Sequence, residues 1–146
     1  MEAGRPFVGY RAASHIFQNF LEVDQLVWGA KYGNHHLMHK DSELIVEYGD
    51  KAKDHPILKG VTAPAPSSGS YYYRDLADDV QVLLYSGLKG DMQPHTWTRM
   101  IKKTGNRVFY TRYDSKQIAE SAICREIFLR GITWALGGDL SKFEKA

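Results

Sequence analysis

The spacing of apolar positions changes several times along the chain, and each change marks an element. Phe7 to Tyr10 form a short strand candidate. Ile16, Phe17, Phe20, Leu21, Val23, Val27 and Trp28 then recur at intervals near three and four. That stripe predicts an amphipathic helix ending near Gly29, with Ser14 placed to cap its first turn. The polar, histidine-rich stretch "KYGNHHLMHKD" predicts a loop. "SELIVEY" (42–48) alternates as a strand does, and "GDKAKDHPILKGV" reads as a turn-rich connection. Pro64, Pro66 and Gly69 make 62–70 a surface loop.

"VQVLLYSG" (80–87) is apolar on both alternations, as in a strand buried on two faces. "HTWTRMI" (95–101) and "RVFYTRY" (107–113) flank "KKTGN" and predict a β-hairpin. Ile118, Ala122, Ile123, Ile127, Ile132 and Ala135 form a second helical stripe, closed by Gly137 and Gly138. Strand, helix, several strands and helix imply a mixed α/β protein. A buried strand between two covering helices favours a three-layer α/β/α sandwich, in a single domain over 1–146.

Composition narrows the partners. The 146 residues are 43% apolar and 25% charged, ordinary for a globular domain. A net charge of +2 with scattered basic residues gives no reason to expect nucleic acid. No apolar run approaches the ~18 residues of a membrane span, and no signal-peptide pattern opens the chain. Cytoplasmic location is thus only a default, and the true location stays unassigned. The single cysteine, Cys124, excludes an internal disulfide and sits in a helical stripe as a small buried hydrophobe.

The strand-to-helix corner "VGYRAASHIF" carries the first candidate chemistry. Arg11 is a donor only and cannot act as a nucleophile. Beside the free N–H groups of a helix start it favours an anion or a cluster of sugar oxygens. Ser14 is either the cap or a hydroxyl ligand, and His15 either a supporting or a catalytic imidazole. His35, His36 and His39, with Asp41, fit no established zinc spacing, so a solvated loop is the leading reading and no metal ligand is assigned. His55, before Pro56, orders a turn.

"GSYYYRDL" offers two readings. Either alternate rings pack inward along a strand edge, or Ser70 and Tyr72 face a pocket where tyrosine stacks on a sugar. Trp97 is a core residue. Arg99 is expected to pair with Asp75 or Asp114, or to bind substrate. Asp114 ends its strand, at the margin that borders ligands in open α/β sheets.

"FVGYRAASHIFQNF", "GAKYGNHH", "HPILKGV", "GSYYYRDLADDVQVLLYSG", "QPHTWTR", "GNRVFYTRYDS" and "CREIFLRGITWALGG" in this order resemble the ThuA-like family, named for trehalose utilisation. The resemblance implies a flavodoxin-like sandwich of the class I glutamine-amidotransferase-like fold and a role around sugar metabolism. Relative to the family the chain looks N-terminally truncated, like the C-terminal part of the usual domain. Such a chain is expected to self-associate through an exposed sheet edge. Where the family often carries His, this sequence has Arg11 at the corner and Ser115 after "VFYT". Amidotransferase chemistry is not expected, because the corner has no thiol. His35 matches the family's "G-H" position and is expected to meet His15 across the site.

The expectation is therefore a saccharide-binding domain. His15, His35 and Arg11 are the catalytic candidates; Ser14, Ser70, Tyr72, Arg99 and Asp114 are the substrate-binding ones. No cofactor is demanded, although a metal would be compatible. The competing readings are a non-catalytic carbohydrate-recognition or interaction module and a metal-dependent hydrolase.

Overall fold

A computed structural model describes residues 3–37, 44–67 and 69–143. Its strands are β1 (Phe7–Tyr10), β2 (Lys31–Leu37), β3 (Ile45–Tyr48), β4 (Ser70–Arg74), β5 (Val80–Leu88), β6 (Asp91–Met100) and β7 (Arg107–Thr111). Two helices follow, α1 (Ser115–Glu120) and α2 (Ala122–Ala135). Five strands form one sheet in the order β1-β7-β6-β5-β3, with β1 parallel to β7 and every other pair antiparallel. β2 and β4 make a separate antiparallel ribbon.

Alternation along β7 separates two cores. Val108 and Tyr110 face the ribbon, with Val82, Trp97, Tyr71, Tyr73 and Trp28. Phe109 faces α2, with Leu83, Leu84, Ile127 and buried Cys124. The register places Val82 opposite Trp97, Trp97 opposite Tyr110 and Tyr110 opposite Gly9. Gly9 must lack a side chain, because a Cβ there would lie 2.8–2.9 Å from the Tyr110 and Trp28 rings. Gly131 does the same for α2, where a Cβ would lie 2.2 Å from the Phe109 ring.

The buried strand and the hairpin are as expected, and β5 also pairs with β6. The second stripe divides at Ser121. Asp114 caps α1 through a capping box with Gln117, and the Ser121 hydroxyl accepts from the Cys124 N–H at the start of α2. No helix among the described residues is long and apolar enough to cross a membrane.

Two expectations fail. The helix over 16–28 is absent: Arg11–Ser14 is a 3-10 turn and only Asp24–Trp28 is helical, as a π-helical turn. Val23, Val27 and Trp28 are buried, whereas Ile16, Phe17, Phe20, Leu21 and Leu26 remain exposed, so the stripe lacks the packing partner that would stabilise a helix. Residues 31–37, expected as loop, are paired with 70–74 in the ribbon. Consequently α2 covers one face of the sheet, while the ribbon and the π-helical turn cover the other, where a second helix was expected.

Candidate functional site

The chain leaves β1 through a left-handed residue, Arg11 (φ 53°), at the parallel β1–β7 pair. That conformation costs a non-glycine residue ~1–2 kcal/mol, and the corner is held from beneath. The Tyr110 hydroxyl donates to the Arg11 carbonyl. Ser14 Oγ lies 3.0 Å from the Tyr110 hydroxyl and 3.3 Å from that of Tyr73, which is itself 3.3 Å from Tyr110. Ser14 is fully buried in this triangle of hydroxyls. It makes no side-chain cap, and its oxygen is occupied by the core, which corrects the cap and ligand assignments.

Tyr71 is the hub above the corner. The Arg11 guanidinium carbon lies 5.8 Å from its ring centre, and that of Arg112 lies 4.1 Å away. His15 and His35 approach it edge-on at 5.7 and 4.9 Å. His15 stacks on Tyr32 with ring centres 4.1 Å apart and planes 15° apart. His35 Nδ1 lies 2.9 Å from the Tyr32 hydroxyl, and the two imidazoles are 6.4 Å apart. The expected meeting of His15 and His35 is thus present, with Arg11 at the same hub. Tyr71 itself is buried, so Arg11, His15, Tyr32 and His35 are the groups it presents outward.

Electrostatics divide these groups by role. Burial, and secondarily the neighbouring His35, lowers the His15 pKa, so its imidazole is neutral near pH 7. Its Nδ1 is shielded from water and has no partner. Burial raises the Tyr32 pKa, keeping its hydroxyl protonated. Arg11 Nη1 sits 3.5 Å from Asp114 Oδ2. Asp114 also accepts from the Gln117 N–H at 2.8 Å, so it anchors α1 and the guanidinium together. Arg112 is almost fully buried; its Nη2 donates to the Gly69 carbonyl, while Nε and Nη1 have no partner.

The remaining candidates lie elsewhere. Ser70 is fully buried and its hydroxyl donates to the Ser86 carbonyl. Tyr72 points to the outer face of β4 over Gly33, because inward positions fall to Tyr71 and Tyr73. Arg99 pairs with Asp79 (2.6 Å), not Asp75 or Asp114, and its Nη1 donates to the Gln25, Leu26 and Val27 carbonyls. It therefore closes the π-helical turn rather than lining a crevice. Trp97 is core, stacked on Tyr110 at 4.1 Å. The Ile57 N–H donates to His55 Nδ1, ordering the turn.

Among the described residues no three His, Cys, Asp or Glu side chains are grouped to hold a metal. His39 and Asp41 lie outside the described residues. Tyr32, Tyr71 and Arg112 were missed from the sequence. Tyr71 was legible as the inward partner of Tyr73, whereas nothing local distinguished Arg112.

The chain resembles the crystal structure of a ThuA-like protein from Parabacteroides merdae ATCC 43184, with a TM-score of 0.57 and 16% sequence identity. The match covers 97% of this chain and 63% of that one, so the chain spans less than two thirds of the solved protein. At that identity the likeness speaks to fold alone. No curated protein matches the sequence significantly. The family model for ThuA, described as trehalose utilisation, matches residues 1–135, and the chain therefore belongs to the ThuA family.

Proposed function

We propose that the outward groups around Tyr71 bind a saccharide, and that His15 and His35 perform acid–base chemistry on it. Family membership supports a role related to trehalose utilisation. The carrying observation is the pairing, at one buried ring, of a neutral imidazole with a guanidinium. A neutral His15 takes the proton of a carbohydrate hydroxyl, or of the carbon beside an oxidised sugar carbon. Arg11 then stabilises the negative charge left on oxygen. Tyr32 and His35 supply further hydroxyl-facing hydrogen bonds. The finer fold assignment, a flavodoxin-like sandwich of the class I glutamine-amidotransferase-like kind, belongs to the same proposal and is supported by the parallel β1–β7 pair beneath α2.

One observation favours a non-catalytic carbohydrate-recognition module as the second reading. A catalytic imidazole is ordinarily oriented by a partner on its other nitrogen, and His15 Nδ1 has none. Calorimetry and turnover assays with trehalose and its keto derivatives, on wild type, His15→Ala and His35→Ala, separate the two. Turnover lost with binding kept marks an enzyme, and binding without turnover in the wild type marks a module. Absence of binding to every saccharide tested refutes both.

A further inference from the structure

Arg112 carries a charge that no acid of the described fold balances. It follows β7 directly, is 1% exposed, and holds its guanidinium carbon 4.1 Å from the centre of the Tyr71 ring. Its Nη2 donates to the Gly69 carbonyl, whereas Nε and Nη1 have no partner. No carboxylate pairs with it among the described residues. Burial works against its charge, and the neighbours that bear on that charge are Tyr73, Tyr110, Tyr71 and Arg11. Burial keeps the Tyr73 and Tyr110 hydroxyls protonated, and Arg11 is itself a cation. A guanidinium stays protonated in a protein, and buried charges are ordinarily paired.

The unpaired Arg112 nitrogens are sealed from solvent, so no ligand touches them; what reaches the surface is their field. Arg11, His15 and His35 lie 5.8, 5.7 and 4.9 Å from the same Tyr71 ring centre. Each is therefore within about 10 Å of the Arg112 guanidinium, and a buried charge is screened less than an exposed one. The Arg11 side chain is 34% exposed, and its 3.5 Å separation from Asp114 Oδ2 is too long for a charge-assisted hydrogen bond, so its donors are open to a ligand. Glu22 and Asp24 share a cavity wall with Lys31 and Arg74, and neither is among the groups that bear on Arg112 or His15. At the hub one carboxylate thus faces two guanidiniums. Resting on the saccharide reading of this site, we infer that its ligand is a sugar acid, whose carboxylate meets the Arg11 guanidinium and supplies the negative charge that Arg112 lacks. A carboxylate carries one negative charge, matching the one positive charge in excess, whereas a phosphate monoester carries nearly two. In a uronate the carboxylate carbon is also the oxidised carbon beside which His15 takes a proton. The C–H bond breaks, the proton goes to His15, and the electron pair passes to the carboxylate oxygens held by Arg11.

The test is calorimetry of the full chain with D-glucuronate and D-glucuronamide, which share ring and hydroxyls and differ in the charge of one group. At pH 7.5 and low ionic strength glucuronate is expected to bind about tenfold more tightly, the scale of one charge-assisted contact. Arg112→Met should lower the affinity for glucuronate and leave that for glucuronamide unchanged, whereas a merely structural role would weaken both. Equal affinity for the two ligands, or tighter binding of the amide, overturns the sugar acid and leaves the saccharide reading in place. Binding of trehalose but of neither glucuronate nor its amide does the same, and binding of none of the three overturns both. A folded Arg112→Met variant that keeps the full preference overturns the part given to Arg112. Should that variant not fold, the wild-type pair of ligands still decides the sugar acid.

Discussion

Arg99 is where the sequence and the structure assign one side chain to different work, so its removal is the sharpest test of the architecture. Arg99→Met keeps an unbranched apolar stem and deletes the guanidinium. Four hydrogen bonds are lost: Nε to Asp79 at 2.6 Å, and Nη1 to the carbonyls of Gln25, Leu26 and Val27 at 3.0, 3.0 and 3.1 Å. The side chains of Arg99 and Asp79 are only 10% and 13% exposed, so water compensates poorly. Hydrogen bonds to charged groups contribute ~1.5–3 kcal/mol each, but they do not add when one group serves them all. Removing one member of a buried pair costs ~3–5 kcal/mol. Partial access to solvent places this case at the lower end, about 3 kcal/mol. That is roughly a hundredfold shift in the folding equilibrium, and a large share of the ~5–15 kcal/mol that holds a domain folded.

Urea unfolding followed by tryptophan fluorescence is the assay, since Trp28 ends the π-helical turn that Arg99 closes and Trp97 donates to the Trp28 carbonyl. A double-mutant cycle with Asp79→Asn should give a coupling energy above ~1 kcal/mol, because each residue is the other's partner. A loss below about 0.5 kcal/mol, the scale of an ordinary surface substitution, refutes the structural role. Loss of saccharide binding at unchanged stability would return Arg99 to the ligand site.

Other outcomes follow from the same packing. Gly131→Ala should destabilise by about 1–2 kcal/mol, because the overpacking against Phe109 outweighs the better helix propensity of alanine; any gain in melting temperature contradicts the close α2–β7 contact. Burial lowers the His55 pKa to about 4, so stability is fully present above pH 6.5 and falls as pH drops from 6.5 through 4, by up to about 3 kcal/mol; His55→Gln should flatten that acid limb in pH-dependent urea unfolding. Asp24 has the opposite sign: its raised value gives stability below pH 3.8 that is lost through about pH 6, so Asp24→Asn should stabilise the protein at pH 8 more than at pH 4. We also propose that the chain self-associates through the outer edge of β1, where Val8 and Tyr10 are exposed; Val8→Lys should shift sedimentation toward monomer, and a monomeric wild type would contradict it.

What the sequence disclosed depended on whether a local pattern had a local cause. β5, the β6–β7 hairpin and α2 were legible because the spacing of their apolar residues matches the faces they bury, and "KKTGN" turns the hairpin. The stripe over 16–28 was misleading because periodicity reports only where apolar residues fall, not whether a surface exists to receive them. Residues 31–37 were illegible as a strand because their pairing partner, 70–74, lies far along the chain and their polar composition carries little strand signal. At the site, Arg11, His15 and His35 were found from the strand-end corner and from resemblance. Tyr71 was missed for Tyr72 by one residue of parity.

That one-residue parity has a larger consequence. β4 places Tyr71 among two guanidiniums and two imidazoles, and Tyr73 in the hydroxyl triangle that supports Ser14 and, through Tyr110, the strained Arg11. β2 stacks Tyr32 on His15, while its N–H fixes the Asp24 carboxyl. A slip of one position in the ribbon would turn Tyr72 inward and both other rings outward. Arg11 would then lose the ring beneath its side chain while keeping the cost of its left-handed backbone. The bulge between Tyr32 and Asn34 matters for the same reason, since it keeps both Tyr32 and His35 against Tyr71 although the two are three residues apart. The ribbon is therefore the element that sets the geometry of the candidate site, and the sheet beneath it supplies the fixed floor against which that register is held.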